Sequence, residues 1–102
     1  MPQADLFYSE GVAARFPELL GKIENAILEV DDRSGECKGR AHKVVDYNHP
    51  HVLLRVSMLP KPHRDAAFAA KLTERLLDLT RTEVPGVERV NVHVSFDLVH
   101  YR

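Results

Sequence analysis

The stretch that decides the fold is CKGRAHKVVDYNHPHVLLRVSML, residues 37–59. Residues 37–47 read as a strand. The sequence Asn48-His49-Pro50 then breaks the run as a turn. Residues 51–59 form a second strand: Val52, Leu54, Val56 and Met58 fall on one face, and Leu53, Arg55, Ser57 and Leu59 on the other. Two strands back to back divide the chain into halves, and what flanks them settles the topology.

Working outward, FPELLGKIENAILEV (16–30) precedes the pair, with Pro17 where a first helical turn accepts it. Leu19, Leu20, Ile23, Ile27 and Val30 recur at helical spacing. The polar DDRSGE (31–36) suits a loop. On the other side, PKPHRD opens a long helix that runs to about Glu83, its apolar stripe being Phe68 or Ala69, then Leu72, Leu76 and Leu79. At the ends lie QADLFYS (3–9) and RVNVHVSFDL (89–98). The second sets Val90, Val92, Val94, Phe96 and Leu98 against Asn91, His93, Ser95 and Asp97.

The predicted order is β-α-β-β-α-β, an α+β subunit made of two β-α-β halves of about 48 residues each. Each half pairs its two strands in parallel, because a helical crossover joins them. Both helices then cover one face of a four-stranded sheet. The other face, carrying Arg55, Asn91, His93, Ser95 and Asp97, is too polar for the core of a monomer and suits association with further copies.

Composition narrows the function. A chain of 102 residues is one domain, 1–102. Its 14 basic and 15 acidic residues nearly cancel, which argues against a nucleic-acid partner. No apolar stretch approaches the roughly 18 residues of a membrane span, so no membrane partner is expected either. Cys37 is the only cysteine, so no intrachain disulfide forms and a cytoplasmic setting is the simplest expectation.

Met1-Pro2 feeding a strand, FYSEG after it, CKGRAHKVVDY as the second strand and PHRDAAFAAKLTERLLDL at the second helix together resemble the tautomerase superfamily. The likeness is greatest to its 5-carboxymethyl-2-hydroxymuconate isomerase branch and spans nearly the whole chain. It implies a homotrimer whose sheets form a central barrel, an amino-terminal proline as general base, and no metal or organic cofactor. The implied reaction moves a proton within a small unsaturated di- or tricarboxylate through a dienolate, as in the degradation of aromatic acids. Carried onto this sequence, the base is Pro2 and the family's arginines match Arg40 and Arg64, with Lys38 as a further substrate-binding cation.

The chemistry of these residues is consistent with such roles. With Met1 attached the Pro2 nitrogen is an amide, so the reading requires a mature chain of 2–102. A free α-amine titrates at roughly 7.7 to 8.0, and proline's secondary amine is intrinsically more basic. Burial and neighbouring cations both disfavour its charged form. The same cations would bind carboxylates and hold the dienolate oxygen, where one well-placed donor contributes about 3 to 4 kcal/mol. Lys38 and Arg40, two apart on a strand, share a face. Arg64 is expected in the first turn of the second helix, where the dipole favours an anion.

Each residue also has a plainer role open to it. Arg40 would be a barrel-face residue held by carbonyls or by Asp97 of a neighbouring copy, Arg64 a solvated first-turn charge, and Asp5 a counter-charge to the cations or a trimer contact. His42 and His93 are sheet-face groups or surface groups, and His63 is either a surface group or part of the pocket. His49 and His51 form an H-x-H pair with no third ligand nearby, and are taken as a solvated turn. Cys37 packs under a helix. The functional alternative is a non-catalytic binding or assembly module of ferredoxin-like topology.

Overall fold

The computed structural model of the chain describes residues 2–96. Its elements run β1 (Gln3–Ser9), α1 (Phe16–Val30), β2 (Lys38–Val44), β3 (Val52–Met58), α2 (Ala66–Glu83) and β4 (Val90–Phe96). The sheet order is β2-β1-β3-β4, with β1/β2 and β3/β4 parallel and β1/β3 antiparallel at the centre. This is the expected β-α-β-β-α-β arrangement.

Register follows from which side chains must be buried. Across β1 and β3, Ala4 faces Val56 and Leu6 faces Leu54. These four, with Val52 and Met58, are buried against Leu19, Ile23, Ala26 and Ile27 of α1 and Leu72 and Leu76 of α2. Both helices therefore lie on one side of the sheet. Burying one such leucine or valine contributes about 1.5 to 3 kcal/mol. The opposite parity sets Gln3 against Ser57, Asp5 against Arg55 and Phe7 against Leu53, which makes the helix-free face polar.

The boundaries differ from expectation where a partner or a backbone group runs out. β2 stops at Val44, short of Tyr47, because its partner β1 ends at Ser9 and the chain turns away through Gly11 at φ +93°. Val45 is consequently exposed. β3 ends at Met58, one residue short of Leu59. In β4 the described strand begins at Val90, one residue after Arg89; Asp97 and Leu98 lie outside the described residues.

α2 begins later than the sequence suggests. Pro60 and Pro62 disfavour helical backbone in the residues before them, and the Arg64 N–H closes a turn on the Lys61 carbonyl at 2.9 Å. Asp65 is the N-cap, its carboxylate accepting from the Phe68 N–H at 2.9 Å. Arg64 thus precedes the helix instead of lying in its first turn. The buried stripe is Leu72, Leu76 and Thr80, with Leu79 half-buried. A threonine is tolerated there because its hydroxyl donates to the Leu76 carbonyl at 2.8 Å.

Candidate active site

Pro2 is buried at the head of β1, and its carbonyl accepts from the Lys38 N–H at 3.0 Å. That bond, together with the Gln3–Lys38 register, fixes the start of β2 beside the start of β1. Gly39 helps the approach: a Cβ there would come within 3.3 Å of the Leu20 side chain, which would have to shift by a few tenths of an ångström. Lys38 and Arg40 then project on the polar side of the sheet, the side of Gln3 and Asp5.

Their surroundings differ. Lys38 is exposed. Arg40 is half-buried and lies along the sheet. Its guanidinium donates to Gln3 Oε1 from both Nη atoms, one at 3.2 Å, and to the Lys38 carbonyl at 3.5 Å, while Nε sits 3.4 Å from Asp5 Oδ1. Asp5 also accepts from His42 Nε2 at 2.8 Å, and His42 stacks on Phe7 with centroids 4.8 Å apart. Asp5 is therefore the counter-charge of this face, and His42 is a sheet-face group.

Arg64 is enclosed instead. Only 4% of its side chain is exposed. Nε and Nη2 donate to Asp31 Oδ2 at 3.0 and 2.8 Å, and Nη1 donates to the Leu59 carbonyl at 2.6 Å. His63 Nε2 donates to the same carboxylate oxygen at 3.0 Å. This cluster joins the end of α1 to the loop before α2. A substrate carboxylate at Arg64 would have to compete with Asp31.

Asp31 titrates below its ordinary 3.8. Burial alone would raise it, but hydrogen bonds from His63, Arg64 and the Arg33 backbone, with the Arg64 charge, outweigh that cost. The Asp31–Arg64 pair spans 33 positions, and no local pattern announces it.

Cys37 is half-buried beneath α1, its N–H donating to Glu24 Oε2 at 2.7 Å. Its thiol is pushed up to about 11, first by burial and then by the Glu24 charge, with Arg40 acting in the opposite sense. It is protonated near neutrality and is not a nucleophile there. His51 and His49 form part of a separate cavity at the other end of the sheet.

No family model matches the chain, and no curated protein sequence does. Solved structures do. A 5-carboxymethyl-2-hydroxymuconate isomerase from Deinococcus radiodurans R1 superposes with a TM-score of 0.84 at 18% identity, covering 99% of this chain and 87% of that one. A fused 4-OT wild-type symmetric trimer gives 0.80 at 14% identity, over 94% and 85%. A macrophage migration inhibitory factor from Toxoplasma gondii gives 0.70 at 17% identity, over 94% and 90%. The chain has the tautomerase-type fold. Among the structures that share it, 5-carboxymethyl-2-hydroxymuconate isomerases recur, a 5-carboxymethyl-2-hydroxymuconate delta-isomerase matching at 0.73 over the whole of this chain.

Proposed function

We propose that the protein is a cofactor-independent tautomerase or isomerase that moves a proton in a small unsaturated di- or tricarboxylate, with the nitrogen of Pro2 as general base. The observation that carries this reading is a buried proline at the head of β1, next to the start of the strand that bears Lys38 and Arg40. The fold shared with isomerase structures supports it.

In this mechanism Met1 is removed and the unprotonated Pro2 nitrogen takes a proton from carbon or an enol oxygen. From carbon, the electron pair of the broken C–H bond passes through the conjugated system onto the carbonyl oxygen; from an enol oxygen, the pair of the broken O–H bond stays on that oxygen; either way a dienolate forms. Lys38, exposed, and Arg40, at the edge of the polar face, supply positive charge for a carboxylate and for that oxygen. The ammonium then returns its proton to another carbon, restoring the base. Arg64 acts from beneath, holding the loop before α2 through Asp31. A homotrimer, formed through the polar sheet face, completes the proposal; the trimeric 4-OT structure with this fold supports it.

One observation favours the alternative of a non-catalytic assembly module: Arg40 is already engaged by Gln3 and Asp5. Kinetics separate the two. Ketonisation of 2-hydroxymuconate is followed by absorbance for the processed protein, for the same protein acylated at its terminus, and for Pro2→Ala. The isomerase reading expects acylation to abolish turnover and Pro2→Ala to lower kcat at least a hundredfold with the fold intact. Equal catalysed rates in all three would refute Pro2 as the base, and no turnover above the uncatalysed rate in any of them would leave the assembly module.

A further inference from the structure

A cavity of about 580 Å³ among the described residues does not involve Pro2. It lies at the head of the β3/β4 pair, where the Val52 N–H bonds the Arg89 carbonyl at 2.9 Å. Because β1 and β3 are antiparallel, that end is five to six strand positions from Pro2, roughly 17 to 20 Å within one protomer. His49, His51, Leu53, Arg81, Glu88 and Arg89 line it, and its wall is mainly apolar.

Two features give it the makings of a ligand site. First, Arg81 and Arg89 form no ion pair among the described residues, so two arginines line one cavity with a single carboxylate residue, Glu88, to offset them. Second, His51 is held in place rather than free in a turn. Its Nδ1 donates to the His49 carbonyl at 2.7 Å, and its backbone N–H donates to Ser9 Oγ at 2.8 Å, which ties the loop to the end of β1. A fixed, mostly apolar concavity with a few convergent polar groups is the usual form of a small-molecule site. Arg81 also stands in the last turn of α2, where a cation suits the helix dipole. Arg89 lies outside any helix, and no dipole accounts for it.

We propose that this cavity binds a small organic anion, one carboxylate on an apolar body, with Arg81 and Arg89 on the carboxylate and the apolar wall of the cavity against the body. Arginine's planar fork matches a carboxylate. This proposal is independent of the reading of Pro2.

Calorimetric titration of the whole protein with benzoate tests it, with uncharged benzamide and inorganic phosphate as comparisons. The expectation is one benzoate per protomer, weaker binding of both comparison compounds, and a loss of about tenfold or more in Arg81→Gln and in Arg89→Gln. Pro2→Ala binds benzoate like the parent. Both arginines are exposed, so unchanged melting curves of the two variants are expected to show that the fold survives. Absent benzoate binding, benzamide or phosphate binding as tightly, unaltered affinity in the arginine variants, or lost affinity in Pro2→Ala would each overturn the proposal.

Discussion

At the scale of single residues, charge and its compensation separate the cations. Arg64 and Asp31 are both buried and depend on each other, so Asp31→Asn leaves a buried guanidinium without its counter-ion. A destabilisation of about 3 to 5 kcal/mol at pH 7 is expected in urea unfolding. The pH dependence has a definite sign. Asp31 titrates below 3.8 in the folded chain, so its contribution is fully present above that value and is lost as pH falls through the lower, folded one. Below about pH 3.8 the parent should lose stability more steeply than Asp31→Asn; parallel curves would refute the linkage. Cys37, with its thiol near 11, should be alkylated by iodoacetamide at pH 8 far more slowly than a free cysteine, and rapid labelling would contradict its packing under α1.

At the scale of elements, the pattern of apolar residues made β1 and α1 legible, because alternation and the 3.6-residue repeat are both local. The start of α2 was less so. The stretch PKPHRD reads as the opening of the helix, yet the turn at Lys61–Arg64 and the cap at Asp65 delay it to Ala66. Removing that cap with Asp65→Ala should cost about 1 kcal/mol of stability, measured by thermal melting. A null effect would mean the Phe68 N–H finds another acceptor. The candidate site was legible in part. Lys38 and Arg40 share a face because strand parity is local, whereas the partners of Arg40 and Arg64 depend on tertiary contacts across 37 and 33 positions that no spacing reveals. Glu29–Arg75 and Lys22–Glu83 link the helices at the surface and contribute little by themselves.

At the scale of the whole molecule, the sheet keeps one face under two helices and leaves the other to Gln3, Asp5, Arg40, His42 and Arg55. In the proposed assembly these faces meet around a three-fold axis. Analytical ultracentrifugation should then give about three times the 11.6 kDa chain mass, and a species of single-chain mass at micromolar concentration would remove the trimer from the account. In the proposed mechanism the proton moves through the nitrogen of Pro2. Its proton affinity is therefore the most direct test: the protein is labelled with ¹⁵N-proline, its processing is verified by intact mass, and the terminal resonance is followed against pH. A secondary amine titrating below roughly 7.7, under the value of an ordinary terminal amine, is the predicted result. A nitrogen still acylated by methionine, or an amine that stays protonated well above that pH, would contradict the account.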